Sequence, residues 1–185
     1  MNEDKELICR ILEGDVQSFS SLVNKYYSRI YSFLYKMNIS REDAEDLAQE
    51  VFIKVYNNLY KYDDRWNFST WIFRVAINTL KDFRKRKGIK TEELTESHAA
   101  IESQSPEAYM ENRAQHEMIA KMFNALNEET RTMMVLRYFH GFSLKEIGEI
   151  CKTSPDAVKM KIFRGRSKLS KLYGEGKLGG ESYEM

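Results

Sequence analysis

The sequence predicts an all-α protein: two small helical domains joined by a flexible acidic linker, the second containing a helix-turn-helix. Three observations carry that expectation. Apolar residues recur at the helical period nearly throughout, and no stretch alternates as a half-buried strand would. The 185 residues include only two prolines and nine glycines, so few positions resist helix. Residues 89–112, "IKTEELTESHAAIESQSPEAYMEN", are polar, acidic and poor in periodic apolar positions, which marks a linker.

The elements follow in order. Leu7, Ile8, Ile11 and Leu12 predict a short helix stopped by Gly14. Phe19, Leu22, Val23, Tyr26, Tyr27, Ile30 and Leu34 predict a longer one. Ser40 and Asp43 stand at capping-box spacing, opening a helix over 41–61 that buries Ala44, Leu47, Ala48, Val51, Val55 and Leu59. After the loop "YDDRWN", Ser69 is expected to cap a helix to about Lys87, with Phe68 and Phe73 at staple spacing and Gly88 beyond its end. Past the linker, packing resumes with Met118, Ile119, Met122, Phe123 and Leu126. Asn127 then starts a helix that Gly141 ends. A frayed tail is expected over 174–185.

The stretch "SLKEIGEICKTSPDAVKMKIFRGRSK" carries the densest local signals. Ser143 and Glu146 form a capping box and Phe142 and Ile147 a staple; "KTS" is a turn of the length this motif requires. Ser154 can cap the second helix, and Pro155 sits at its first position, where a missing N–H costs nothing. Val158, Ile162, Gly165, Leu169 and Leu172 must face the core, which turns Asp156, Met160, Phe163, Arg164 and Ser167 outward. Lys159 and Arg166 flank one side of that face; Lys161, Lys168 and Lys171 flank the other. Such a face reads base edges while flanking cations hold phosphates.

The helix ending in "RKRK" has a second polar face. Arg74, Asn78, Lys81 and Lys85 form one stripe, and Trp66, Phe68 and Trp71 stand at the helix entry. Duplex binding needs cations alone, whereas aromatic rings beside cations suit unstacked bases. Asp43, Asp46, Gln49 and Glu50 share a face of the preceding helix, either merely solvated or suited to a basic protein partner. The charge balance agrees with nucleic-acid work at two places: +2 over residues 1–88, −5 over 89–112, +6 over 113–173 and −2 over the tail.

Cys9 and Cys151 are expected to be buried thiols, and His98, His116 and His140 ordinary surface or helix-end residues, with no metal-ligand spacing and no cofactor motif. No apolar run approaches the ~18 residues of a membrane span, and "MNEDKELICR" lacks a signal-peptide core. An enzyme would need a convergent nucleophile, metal or acid–base set. None is evident. An autonomous helix-turn-helix regulator would need a dimerising heptad or ligand pocket in the N-terminal half, and neither is evident there.

"DAEDLAQEVFIKVY", "FSTWIFRVAINTLKDFRKRK" and "SLKEIGEICKTSPDAVKMKIFRGRSKL", in this order and spacing, resemble the bacterial sigma factors of the extracytoplasmic-function class. The similarity runs over most of 5–88 and 113–173. It implies a region 2 domain over 1–88, a linker over 89–112, a region 4 domain over 113–173 and a tail over 174–185. The first domain would dock on the clamp helices of the largest subunit of core RNA polymerase and capture the melted −10 strand. The second would read the −35 duplex beside the polymerase flap. By position, Asp46, Gln49 and Glu50, with Asp43 on the same face, would bind polymerase. The loop residues Arg65, Trp66, Asn67 and Phe68 and the helix residues Trp71, Asn78 and Lys81, with Arg74 and Lys85 on the stripe, would bind the −10 strand. Arg137, Lys159, Met160, Phe163 and Arg164, with the flanking Lys161 and Lys168, would bind the −35 element. The recognition helix reads "PDAVKMK" where the family commonly has Pro-x-Gly-Thr-Val. Asp156 could accept from a cytosine and Met160 touch a thymine methyl.

The resemblance further implies promoter DNA and an anti-sigma factor as partners, with no cofactor, metal or membrane insertion. It places the protein in the cytoplasm, on the nucleoid when active or held at the membrane by the anti-sigma factor. As a free chain, 24 linker residues span only about 27 Å. Off polymerase, the two domains are therefore expected to collapse together or onto an anti-sigma partner, hiding both DNA surfaces.

Overall fold

A computed structural model describes residues 3–88 and 122–174; the linker, the tail, His98, His116, Met118 and Ile119 lie outside the described residues. Seven α-helices and no strand occur among them. Four form an N-terminal unit: α1 (Glu3–Leu12), α2 (Val16–Tyr35), α3 (Arg41–Asn58) and α4 (Phe68–Arg86), with a 3₁₀ turn over Leu59–Lys61 after α3. Three form a C-terminal unit: α5 (Glu128–His140), α6 (Leu144–Cys151) and α7 (Pro155–Tyr173).

Local chemistry sets nearly every boundary. Gly14, at φ +103°, turns the chain out of α1, and the Asp15 carboxylate caps α2 by accepting from the backbone N–H groups of Gln17 and Ser18. Ser40 Oγ accepts from Asp43 N at 3.1 Å to start α3. Asn127 Oδ1 accepts from Thr130 N at 2.9 Å to start α5, and Gly141, left-handed at φ 71°, ends it. The full capping box forms at α6: Ser143 Oγ accepts from Glu146 N while the Glu146 carboxylate accepts from Ser143 N. One start differs from expectation. Helix α4 begins at Phe68 with Asn67 in the cap position, and the Asn67 side chain makes no capping bond. Ser69 is already inside the helix.

In the N-terminal unit, Leu22, Ile30, Phe33 and Leu34 of α2 meet Leu47, Val51 and Val55 of α3 and Phe68, Ile72, Phe73 and Leu80 of α4 in one core. Asp4 is buried beneath α2, where it accepts from the Tyr26 hydroxyl at 2.6 Å and pairs with Lys25 at 2.8 Å. In the C-terminal unit, Arg131 is almost wholly buried and donates to the carbonyls of Phe123, Asn124 and Leu126, which fixes the turn leading into α5. Gly165 lets α7 cross α5 closely: a Cβ there would lie 2.7 Å from Met134 Sδ and Thr130 Cγ2. The bare Cα of Gly148 makes room for the turn between α6 and α7, since a Cβ would lie 2.8 Å from the Thr153 carbonyl.

The two units pack together. Phe33 and Phe73 form an aromatic cluster with His140 and Phe142 from the α5–α6 junction, with ring centroids 4.9–6.1 Å apart. Arg29 lies over the Phe73 and Phe142 rings and donates to the His140 carbonyl, while Lys36 sits 4.7 Å from the Phe139 ring centroid. Arg84 forms a buried ion pair with Glu128 at 2.6 Å and donates to the Met37 carbonyl. Seven successive residues, Thr130–Leu136, are buried because α5 is packed against both units.

Three sequence expectations change here. Cys9 is exposed, because it lies on the outer side of α1, whereas Cys151 is partly buried and its thiol is pushed up to about 11 by burial. His140 is a helix-end residue as expected but not an ordinary one: enclosure in the aromatic cluster, with Arg29 and Lys36 nearby, drives it down to about 3. Leu172 is exposed, since α7 runs past the end of its packing partners.

Candidate nucleic-acid interface

Helix α7 is anchored on one side only. Val158, Ile162, Gly165 and Leu169 face α5 and α6, leaving Lys159, Met160, Phe163, Arg164 and Lys168 in solvent. Phe163 is 66 % exposed and Met160 48 %, so two large apolar side chains stand among cations without any core to cover. That combination suits base edges and thymine methyls between phosphate-binding cations. The other two residues expected here are differently placed. Lys161 pairs with Glu129 of α5, and Arg137 donates to the Phe142 carbonyl at 3.0 Å, bracing the turn into α6. Packing of the two units does not by itself hide this surface: the outer face of α7 is exposed among the described residues.

The second surface runs from the loop before α4 along its outer stripe. Arg65, Trp66 and Asn67 are exposed in the loop, and Asn78, Lys81 and Lys85 on the helix. Trp71 is half-buried at the helix entry. Arg65 forks onto Asp63 with contacts of 2.5–2.9 Å, and this guanidinium, with the Arg65 backbone N–H, holds the Asp63 carboxyl at about 2. Arg74 does not stand free: it donates to the Glu149 carbonyl of α6 at 2.7 Å, tying the middle of the stripe to the other unit. Phe68 meets the staple expectation and not the base contact. It is fully buried, with its ring packed on Tyr26, Tyr62 and Trp71 at 5.3–5.6 Å, so no base can reach it in this arrangement. Phe68 belongs to the core.

"RKRK" divides by direction. Arg84 points inward to Glu128; Arg86 pairs with Glu50 at 2.8 Å and Lys87 with Asp43 at 2.8 Å; Lys85 continues the outer stripe. The basic helix end therefore partly neutralises the acidic face of α3. The Lys87 ammonium holds the Asp43 carboxyl below the usual carboxylate range. Burial works to raise Glu50, but bonds from Arg86 and Lys54 outweigh it and leave that carboxyl lowered too. Asp46 and Gln49 are exposed, and Asp46 has no ion-pair partner among the described residues.

The same face of α3 continues into an apolar run that the sequence reading did not single out. Ile53 and Tyr56 of α3 and Tyr60 of the 3₁₀ turn after it are 61 %, 46 % and 69 % exposed and follow Asp46 and Gln49 at helical spacing. Their signal was present: three large apolar residues at i, i+3 and i+7, out of phase with the buried Val51, Val55 and Leu59. Tyr62 was also missed, although it lies behind the exposed loop, with its hydroxyl donating to the Trp66 carbonyl.

Comparison with known proteins places the chain in a family. Residues 22–89 match the model of sigma-70 region 2, and residues 116–169 match that of sigma-70 region 4. The chain is 35 % identical over 177 residues to the ECF RNA polymerase sigma factor SigW of Bacillus subtilis, covering 90 % of this chain and 95 % of the relative. It is 31 % identical over 179 residues to the RNA polymerase sigma-H factor of Pseudomonas aeruginosa, covering 91 % and 93 %. Its fold is that of CnrH, solved with the cytosolic domain of CnrY (TM-score 0.72, 22 % identity, 92 % of this chain and 97 % of that one). It is equally that of the sigma factor RpoE of Bartonella quintana, solved with the anti-sigma factor NepR (TM-score 0.70, 20 % identity, 87 % and 99 %). The chain belongs to the extracytoplasmic-function class of RNA polymerase sigma factors.

Proposed function

We propose that this chain acts as an alternative sigma factor, binding core RNA polymerase and directing it to promoters, with its separate surfaces dividing the work. The exposed face of α7 reads the −35 duplex. Asn67, Trp71, Asn78 and Lys81 receive the unstacked −10 strand, with Arg65 and Lys85 supplying charge. The α3 face, Asp46 and Gln49 running into Ile53, Tyr56 and Tyr60, meets a basic and apolar surface of the polymerase clamp. Region 2 then spans 1–88 and region 4 spans 113–173, with a linker over 89–112 and a tail beyond. The polymerase flap would meet region 4. The protein works in the cytoplasm, and an anti-sigma factor restrains it, as anti-sigma factor NepR binds the RpoE neighbour. It carries out no catalysis itself.

The observation that carries this reading is the exposed acidic–apolar face of α3 in the same chain as a helix-turn-helix. A regulator acting without polymerase has no use for that face. Packing of the units holds Arg74 on α6 and leaves α7 open, so release on polymerase would free the middle of the −10 stripe. Transcription in vitro with core polymerase on a library of genomic fragments tests the function directly. Asp46→Lys tests the docking face. Like charge against a basic clamp should weaken core capture by roughly tenfold or more, and capture at wild-type strength would refute the assignment.

A further inference from the structure

The loop over residues 62–67 is closed across its base by the Tyr62 side chain, whose hydroxyl donates to the Trp66 carbonyl at 2.5 Å. Within the loop, Trp66 N–H donates to the Asp63 carbonyl at 3.1 Å and Arg65 N–H to Asp63 Oδ1 at 3.0 Å. The Tyr62 ring packs edge-on against Phe68 and Trp71 at 5.5 and 5.6 Å. Phe68 rests in turn on Tyr26, whose hydroxyl is bonded to the buried Asp4. A second tie, Lys5 to Asp64 at 3.3 Å, joins α1 to the loop tip. A continuous set of contacts therefore runs from a buried carboxylate in α1 to the carbonyl of Trp66.

We propose that Tyr62 is the positioning residue of the −10 loop: by fixing the Trp66 carbonyl it sets the Trp66–Asn67 peptide, and hence the direction in which Trp66 and Asn67 meet an unstacked base. This rests on the reading of the loop as a −10 contact. Tyr62 itself is half-buried and turned to the loop's inner side, so its action is indirect. A loop held in one conformation before binding discriminates among bases because it does not readjust to accommodate a wrong one, and it loses less freedom when the right one arrives.

The test uses holoenzyme assembled from core polymerase and the full chain, either wild type, Tyr62→Phe or Asn67→Ala. Open-complex formation is measured by permanganate reactivity on a set of promoters with single-base changes in the −10 element, and on a matched set changed in the −35 element. Tyr62→Phe keeps the ring and removes one neutral hydrogen bond. It should narrow discrimination among the −10 variants by about threefold to tenfold, with −35 penalties, core affinity and melting temperature unchanged. Wild-type −10 discrimination in Tyr62→Phe, alongside loss in Asn67→Ala, would overturn the positioning role and leave the loop reading intact. Wild-type discrimination in both variants would overturn the loop reading and the proposal with it. Equal loss on both promoter sets, or a lowered melting temperature, would make Tyr62 a residue of the fold alone and overturn the proposal.

Discussion

Helices α4 and α7 are both 19 residues long and both carry a succession of lysines and arginines, yet they use them differently. Helix α4 is packed against α2 and α3 and meets α6 of the other unit, and ten of its residues are buried. Three of its five cations are drawn to neighbouring elements: Arg74 to a carbonyl of α6, Arg84 to Glu128 and Arg86 to Glu50. Among the described residues, helix α7 packs chiefly on α5 and α6 and buries four residues, and among its cations only Lys161 has an ion-pair partner there. Cation content does not distinguish the two helices. The number of packed sides does, because a cation on a helix enclosed from several directions meets carbonyls and carboxylates before it meets DNA.

The contrast can be broken most sharply at Glu128. Glu128→Ala leaves the Arg84 charge buried and unpaired, which should cost about 3–5 kcal/mol and separate the units. Fluorophores on Tyr60→Cys and Ser170→Cys, in a Cys9→Ser and Cys151→Ser background, should report a longer distance than in the parent. An unchanged distance would show that the aromatic cluster suffices to hold them. On α7, Arg164→Ala should cost roughly 1–3 kcal/mol at one −35 position, measured by competition between promoter variants in holoenzyme. It should leave the distance between the labelled units unaltered.

Acidity probes the same interface. His140 titrates at about 3 when enclosed, against about 6.5 when free. Its folded value is depressed, so the opened form binds the proton that the closed form refuses. Closure is fully stable above about pH 6.5 and weakens as pH falls, by about 1.4 kcal/mol per unit and thus by about 2 kcal/mol at pH 5. His140→Phe should remove this slope while keeping the ring contacts, as read from the labelled pair between pH 7 and 5. The smallest change is expected from Lys168→Ala. It should weaken all promoters alike and lower the salt slope of binding by about one, and any altered base preference would move Lys168 onto the reading face.

What could be read in the sequence was whatever neighbours within four residues decide. The Ser143–Glu146 box, the Asn127 and Ser154 caps, the left-handed Gly141 and Pro155 at the first position of α7 are all found in place. The inward face of α7 followed from helical period alone as far as Leu169, because a helix packed on one side has one apolar stripe. At α4 the period was ambiguous. Phe68 could staple the core or meet a base, and the packing of Tyr26, Tyr62 and Trp71 around it placed it in the core.

The sequence by itself determined the helices, most of their ends and the two sets of basic residues, since each depends on hydrogen bonds and side-chain contacts within a turn or two of the chain; the start of α4 and the end of α3, at Asn58 and not residue 61, differ from it. Only the tertiary structure decided which polar groups remained available. Arg74, Arg84 and His140 carry no local mark separating them from Lys85, Arg164 or Lys168. Their partners lie elsewhere: Glu149 and Glu128 are 75 and 44 positions away from Arg74 and Arg84, and the rings around His140 come from α2 and α4. A charge settles wherever burial and a distant partner together outweigh water, and that balance is struck only once the helices have packed.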